Sequence, residues 1–167
     1  MTGDIRRAQQ NHWRDVYYAH GGTPKQVGSE SHLHKHLRYE RLSRLFDIQR
    51  DSENLSVHDL GAGVGDFYAY LDELGIDGLE YSGSDFLPEY VEVARTRFPG
   101  IEFSSADIFQ EHREFDYVVM SGIFHQPGGV KRSLWNRYVR ATIRDAYQIA
   151  RVGIGFNILS DAVDYRS

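Results

Sequence analysis

Three glycines at alternate positions form the feature of this sequence with the clearest chemical meaning. The segment Asp59-Leu60-Gly61-Ala62-Gly63-Val64-Gly65 follows a strand-like run and precedes a helix-like one. In open α/β sheets, a strand that turns directly into a helix places that turn at the crevice where ligands bind, with backbone N–H groups nearby. The pattern therefore predicts a binding turn for a small ligand. A turn that only starts a helix is the alternative.

The residue after the last glycine bears on the charge of that ligand. A dinucleotide-binding fingerprint would place a further glycine at position 66, but the chain has Asp66 there. A carboxylate at the start of the helix would repel a pyrophosphate lying against the helix N-terminus. The sequence therefore favours a ligand without phosphate, and one that carries a positive charge would be tolerated.

Two more acids follow the next predicted strands. Asp85 lies 24 residues beyond Gly61, the separation at which a carboxylate reaches the hydroxyls of a ribose bound in the same crevice. Asp107 follows the third strand, where it could accept a hydrogen bond from an adenine amine while Ile108 packs against the ring. Each acid alone could be a helix cap or a solvated strand end. Together they predict an adenosine site.

These segments resemble class I S-adenosylmethionine (SAM) dependent methyltransferases over roughly residues 55–159. The resemblance lies in the glycine turn with Asp59, and in Asp85-Phe86, Ala106-Asp107-Ile108 and Tyr117-Val118-Val119-Met120-Ser121-Gly122. It implies SAM as the cofactor, with Gly61 and Gly63 lining its methionine and ribose portion and Asp59 facing its amino group. The implied cofactor-binding set also includes Ala62, Gly65, Phe86, Ser121 and Gly122.

The elements that position these residues alternate between strand-like and helix-like patterns. The order predicts an α/β fold, a Rossmann-like, mostly parallel sheet of about five strands flanked by helices, with an N-terminal helical lid. One domain spans 1–167, with the lid at 1–53 and the core at 54–167. The predicted strands are 55–60, 79–84, 101–105, 115–120 and 152–159. The predicted helices are 66–74, one opening at Pro88, and a long one capped by Ser133.

The lid is predicted to contain two helices. The first spans Trp13 to Tyr18, and the second is capped by Ser31. The second turns one apolar face toward the core (Leu33, Leu37, Leu42, Leu45 and Phe46). The lid resembles those that fold over the cofactor in small-molecule methyltransferases. By that resemblance, Lys25 or Arg38 of this chain could pair with the methionine carboxylate. Ordinary packing and solvation are the alternative for these side chains.

Methyl transfer depends mainly on orienting the acceptor toward the sulfonium, and a weak nucleophile also needs a base. His125 follows the fourth strand and is the first candidate base, with Tyr18 and Tyr39 of the lid as further candidates. The strand exit Ser121-Gly122-Ile123-Phe124 differs from the Asp/Asn-Pro-Pro-aromatic tetrapeptide of methyltransferases acting on adenine or glutamine amino groups. These exclusions leave a small-molecule or a protein acceptor, and the prediction is an oxygen or nitrogen of a small molecule.

Two other functions stay open at this point. One is a non-catalytic SAM-binding module, because the chain ends at Ser167, eight residues past Leu159, where this family usually continues into further strands. A truncated or a naturally minimal form would both explain that end. The other is aminopropyl transfer from decarboxylated SAM, which would need acidic groups to hold a polyamine. An exposed fifth-strand edge would permit a homodimer.

The amino-acid composition excludes several further classes of function. The net charge of −5 argues against nucleic-acid binding, and the absence of cysteine excludes thiolate metal sites and cysteine nucleophiles. His32 and His36 share a helix face, but a metal site needs at least one more ligand, so no metal is predicted. No signal-peptide-like or membrane-spanning apolar run occurs. We therefore expect a cytoplasmic protein that does not bind membranes.

Overall fold

Five strands alternate with helices along the chain in the computed structural model, which describes residues 2–21, 32–46, 54–76, 78–105 and 113–158. In chain order, the elements are α1 (Thr2–His20), α2 (His32–Ser43), β1 (Leu55–Leu60), α3 (Asp66–Glu73), β2 (Leu79–Ser84), α4 (Pro88–Arg97), β3 (Glu102–Ser104), β4 (Phe115–Met120), α5 (Arg132–Gln148) and β5 (Ala150–Phe156).

The five strands form one sheet in the order β3-β2-β1-β4-β5, and every pairing is parallel. The predicted Rossmann-like sheet is confirmed. The chain runs outward from β1 to β3 on one side and then crosses to β4 on the other, so the crevice lies beyond the ends of β1 and β4. Leu60 pairs with Ser84 in the register of β1 and β2, which places the glycine turn directly beside Asp85.

Helices cover both faces of the sheet, as the continuous burial of β4 requires. On one face, Tyr39 of α2 and Phe67 of α3 pack with Val57 of β1. On the other, Ile5 of α1 and Trp135 of α5 pack with β4. The buried residues of α5 recur at the helical period and so form one inward face (Trp135, Val139, Thr142, Ala146).

Several predicted boundaries were wrong. Helix α1 spans Thr2–His20 rather than 13–18, because Ile5 and Gln9 are also buried on one of its faces. Helix α5 begins at Arg132 with Lys131 before it and no side-chain cap, so Ser133 lies inside the helix. Strand β3 covers Glu102–Ser104, and β5 begins at Ala150, two residues before the predicted start, and ends at Phe156.

The inward face of α2 was predicted only in part. Leu42 and Phe46 are buried as predicted, but Leu33 and Leu37 are 66% and 42% exposed, and Tyr39 is buried instead. The helix turns the bulky aromatic Tyr39 toward Phe67 and Tyr70 of α3, which rotates the leucines outward. Ser31, the predicted cap, lies outside the described residues. Within the described ranges, no helix is both long and apolar enough to cross a membrane.

Candidate functional site

The glycine turn closes its own hydrogen bonds. The N–H groups of Gly61 and Ala62 both donate to the Ser84 carbonyl, at 2.7 and 3.0 Å. The Gly63 N–H donates to Asp85 Oδ2 at 3.0 Å, and the Gly65 N–H donates to the Ala62 carbonyl at 3.0 Å. These N–H groups are therefore not available to a ligand as the sequence suggested. Because they are already used, the turn is poorly suited to holding a phosphate and better suited to close approach by a phosphate-free ligand.

The glycines are required by backbone conformation and by packing. Gly61 and Gly65 have φ values of 79° and 80°, which L side chains rarely adopt. A Cβ on Gly61 would collide with the Ile123 side chain, and one on Gly65 would lie 2.9 Å from the Phe98 ring. Gly61 therefore leaves the space that the Ile123 side chain occupies in the wall of the crevice. Gly65 permits close packing of α3 against aromatic residues, and it does not line the cavity.

A cavity opens at the carboxyl ends of β1, β2 and β4, beneath the two lid helices. It brings together ten of the residues predicted for the site: Arg38, Tyr39, Asp59, Gly61, Ala62, Gly63, Asp85, Phe86, Ser121 and Gly122. Trp13, Asp66, Phe67, Tyr90 and Ile123 complete its lining. The predicted residues Lys25, Asp107 and Ile108 lie outside the described residues.

Asp59, at the end of β1, places a buried carboxyl in this cavity. Its Oδ2 accepts a hydrogen bond from the Tyr81 hydroxyl at 2.7 Å, and its Oδ1 is buried without a partner among the described residues. Burial raises the pKa of Asp59 to about 7; the Tyr81 hydrogen bond lowers it and the neighbouring Asp85 raises it. An unpartnered buried acceptor is costly, so this oxygen is prepared to accept a hydrogen bond from a ligand donor.

Asp85 has a structural and a potential binding role at once. Its Oδ2 accepts from the Gly63 N–H, and its Oδ1 accepts from the Leu87 N–H at 2.9 Å. Burial raises the pKa of Asp85 to about 6, although hydrogen bonds from the backbone of Leu87, Gly63 and Phe86 lower it. Each carboxylate oxygen has two accepting sites, so ribose hydroxyls can still bind. The prediction that Asp85 is a ligand acceptor stays a prediction, and its structural role is to hold the glycine turn and the backbone that leads into α4.

Asp66 is not the isolated anion that the sequence suggested. Its Oδ2 pairs with Lys35 Nζ and its Oδ1 with Arg97 Nη1, both at 2.7 Å. Burial would raise the pKa of Asp66, but the two hydrogen-bonded cations outweigh it and hold the pKa below its ordinary value. The charge argument against a dinucleotide is therefore weaker than Asp66 alone implied. The pair has another consequence: Lys35 fastens α2 of the lid to α3 of the core.

The lid places a cation over the cavity. Arg38 on α2 lines it, and its buried Nε has no partner among the described residues. Tyr39, the next residue, is buried, and that burial raises the pKa of Tyr39 well above its ordinary value. Tyr39 therefore stays protonated near neutral pH and is a hydrogen-bond donor rather than the predicted base. Tyr18 is 71% exposed and contacts Tyr17 edge-on, which leaves the predicted catalytic role without structural support.

Asn157 fixes the orientation of the His125 ring. Asn157 Oδ1 accepts a hydrogen bond from the Gly122 N–H at 2.8 Å, so Asn157 Nδ2 faces His125 Nε2 at 3.1 Å. An amide nitrogen only donates, so Nε2 accepts and the ring proton lies on Nδ1. Burial lowers the pKa of His125; a backbone hydrogen bond with Gly122 opposes this and the Arg38 charge adds to it. The accepting nitrogen is thus already engaged, which argues against a general base.

His32 and His36, the two histidines that share a helix face in the sequence, both lie on α2. His36 packs edge-on against Tyr70, with ring centroids 5.0 Å apart. Among the described residues, no group of three or more His, Cys, Asp or Glu side chains is close enough to hold a metal ion.

Sequence reasoning missed Tyr81, Lys35 and Asn157, each of which holds a site residue in place. Tyr81 pairs with Asp59 across 22 residues, and Lys35 pairs with Asp66 across 31. The register of β1 with β2 places Tyr81 opposite Val57, two residues before Asp59, so the long tyrosine side chain reaches the carboxyl. Trp13 was noted as part of the lid, but its position in the cavity wall was not predicted.

Comparisons with known proteins agree with this geometry. No protein-family profile matches the chain. A protein of Mycobacterium tuberculosis named as a candidate methyltransferase, Rv1506c, is 34% identical over 120 residues, which cover 70% of each chain. The crystal structure of magnesium protoporphyrin IX methyltransferase from Synechocystis, solved with bound SAM, superposes with a TM-score of 0.61 at 18% identity over 84% of this chain.

A second solved structure has the same fold. The N-methyltransferase NodS from Bradyrhizobium japonicum, in complex with S-adenosylhomocysteine (SAH), gives a TM-score of 0.59 at 15% identity over 84% of this chain. The chain spans 65% of the length of the Synechocystis enzyme and 67% of NodS. Given the parallel sheet, the glycine turn, the cavity beside it and the mycobacterial relative, the chain belongs to the class I, Rossmann-like SAM-dependent methyltransferase family.

Proposed function

We propose that this chain binds SAM in the cavity beside the glycine turn and transfers its methyl group to an oxygen or nitrogen of a small molecule. One observation carries the proposal. Two buried polar atoms of opposite kind, Asp59 Oδ1 and Arg38 Nε, have no partner among the described residues, and both side chains line the same cavity. The amino acid end of SAM has an ammonium and a carboxylate that would satisfy one each.

The other cavity residues suit the adenosine portion. Asp85 offers carboxylate oxygens at the end of β2, and Phe86 beside it gives an apolar surface for the ring system. The turn N–H groups are used internally, which suits a cofactor without phosphate. SAM, when bound, supplies an electrophilic methyl group. The residues of this chain then orient the cofactor and exclude water, which supplies most of the acceleration in a methyl transfer.

Arg38 also favours methyl transfer from SAM over aminopropyl transfer from decarboxylated SAM. Decarboxylated SAM lacks the carboxylate that Arg38 would bind, so a cation in this position disfavours aminopropyl transfer. Of the acids that could hold a polyamine, Asp66 is already neutralised by Lys35 and Arg97. A non-catalytic module would retain cofactor binding but show no turnover.

A small-molecule acceptor is supported by a structurally similar protein, because the Synechocystis enzyme is a methyltransferase of magnesium protoporphyrin IX. We also propose a cytoplasmic location, no nucleic-acid partner, and a homodimer through β5. That strand lies at the end of the strand order, with Val152 and Phe156 partly exposed. Light scattering would test the dimer, and a monomer at high concentration would refute it.

Calorimetry with SAM and SAH tests the main proposal. We expect micromolar binding by the wild-type chain, and at least tenfold weaker binding by Arg38→Met. Arg41→Met is the matched control, because it changes an exposed arginine of the same helix. Absence of heat with either compound at millimolar concentration, in a folded sample, would refute cofactor binding. Equal affinities of the two variants would refute the role of Arg38.

A further inference from the structure

The two oxygens of the Asp59 carboxyl have different surroundings. Oδ2 accepts the Tyr81 hydroxyl hydrogen at 2.7 Å, whereas Oδ1 is buried without a partner among the described residues. The carboxyl as a whole is only 1% exposed, yet it lines the cavity. Tyr81 itself is buried on β2, so its hydroxyl has little freedom to move. A ligand donor can therefore bind Oδ1 without displacing the Tyr81 hydroxyl from Oδ2.

We propose that Tyr81 is a positioning residue that holds Asp59 with Oδ1 toward the cavity, and that binding of a cationic ligand group to Oδ1 releases a proton from Asp59. The proposal rests on the proposed function, because the cationic group would be the ammonium of SAM or SAH. It assigns Tyr81 a role in cofactor affinity and its dependence on pH. Tyr81 is too deeply buried behind Asp59 to act as a catalytic residue.

The groups around Asp59 determine its charge. Tyr81 and Asp85 face it from the β2 side, and Tyr39 faces it from α2. Arg38 on α2 and Asp66 at the start of α3 line the same cavity, while β4 places Val119 beside it in register. Burial raises the pKa of Asp59 to about 7, so near neutral pH the carboxyl is divided between its protonated and ionised forms. A nearby ammonium would favour the ionised form.

The proton balance of binding follows from these contacts. In the protonated form the acidic hydrogen lies on Oδ1, because Oδ2 already accepts from Tyr81. When the ligand ammonium donates to Oδ1, that hydrogen leaves to solvent and the ammonium keeps its own protons. At pH 7, binding should release about half a proton per ligand, and below pH 6 the apparent affinity should fall roughly tenfold per pH unit.

The test is calorimetric titration of SAH between pH 5.5 and 8.5, in buffers of different ionisation enthalpy, with Tyr81→Phe and Tyr117→Phe. The Tyr81 hydrogen bond lowers the pKa of Asp59, so its loss raises that pKa. If the rise is about one unit, Tyr81→Phe binds SAH about fivefold more weakly at pH 7 and nearly normally at pH 8.5. Tyr117→Phe is the matched control, because its buried hydroxyl has no partner among the described residues.

The carbon-13 shift of the Asp59 carboxyl, followed by NMR without ligand, gives a second and independent measurement. We expect a midpoint near neutral pH in the wild type and Tyr117→Phe, and a higher one in Tyr81→Phe. Equal midpoints, or a loss of SAH affinity in Tyr81→Phe that is the same at every pH, would overturn the claim that Tyr81 controls the charge of Asp59. Unchanged SAH affinity in Tyr81→Phe at every pH would overturn its positioning role. If wild type binds no SAH at any pH, the proposed function and the ligand-linked release both fail, while the NMR midpoints still decide whether Tyr81 controls Asp59.

Discussion

Replacing Asp59 with asparagine should make the protein more stable above neutral pH while removing its cofactor site. Asn is nearly isosteric with Asp, so the change removes the charge and leaves the volume. Burial raises the pKa of Asp59 from 3.8 to about 7, which is a shift of about three units. At about 1.4 kcal/mol per unit, the ionised carboxylate costs the folded protein on the order of 4 kcal/mol.

The stability difference between Asp59→Asn and wild type should depend on pH in a definite direction. The folded pKa of Asp59 lies above its unfolded value, so between pH 4 and 7 the folded protein holds a proton that the unfolded chain has lost. Stability of the wild type therefore falls as pH rises through this window, and the loss is complete above the folded pKa. Asp59→Asn has no such titration, so its advantage over wild type should grow by roughly 2–3 kcal/mol between pH 5 and pH 8.

Urea unfolding at the two pH values, without ligand, measures this difference. Asp72→Asn is the control, because Asp72 is exposed on α3 and should show little change in the difference between the two pH values. SAH binding, measured in parallel, should be lost in Asp59→Asn and retained in Asp72→Asn. If the stability difference between Asp59→Asn and wild type were the same at pH 5 and pH 8, Asp59 would not carry a raised pKa and the argument would be refuted.

Three further predictions concern the turn, the lid and the strand-four exit. Gly61→Ala should lower the free energy of unfolding by about 2–5 kcal/mol, because it adds left-handed backbone strain and a collision with Ile123. Gly75→Ala is the control and should cost only about 1–2 kcal/mol, because its added Cβ meets no atom within 4 Å. Equal losses in urea unfolding would contradict this prediction. Lys35→Met breaks a half-buried ion pair with Asp66 and should lower the free energy of unfolding by about 1–3 kcal/mol in the same measurement. Arg44→Met, which breaks an exposed pair with Glu40, should cost less than about 0.5 kcal/mol. The reverse order would show that Lys35 does not hold α2 against α3. His125→Gln should leave SAH affinity within about twofold and, with an identified acceptor, reduce turnover by less than about tenfold, whereas a loss of about a hundredfold or more would restore His125 as the base.

The sequence was sufficient for the fold because its periodicities repeat over whole elements. The apolar run of β4 and the helical spacing of Trp135, Val139 and Ala146 both reflect burial, and the strand at 115–120 and the long helix after it were both predicted. Helix and strand boundaries were mispredicted where a single residue decides them. Ser133 is a good capping residue by type, but the helix begins at Arg132, because the apolar period sets the helix face without fixing its first turn.

Most of the candidate site was predictable because its residues lie at strand ends, and Arg38 and Tyr39 of α2 were predicted from the lid. Asp59 and Asp85 were found in this way, and both line the cavity. Their actual charge states depend on partners that approach from other elements, such as Tyr81. Lys35 illustrates the same limit, since its contact with Asp66 depends on how α2 packs against α3. Spacing along a single chain carries no information about such packing.

The identity of the ligand follows more from the unsatisfied groups than from the glycine turn itself. A glycine turn between a strand and a helix serves phosphate-bearing and phosphate-free ligands alike, so its presence alone does not choose between them. In this chain the N–H groups of Gly61, Ala62 and Gly63 are consumed by Ser84 and Asp85, and Lys35 and Arg97 already neutralise Asp66. What stays unpaired among the described cavity residues includes an acid oxygen on Asp59 and a guanidinium nitrogen on Arg38. An amino acid end matches those two groups, and a pyrophosphate would match only one of them.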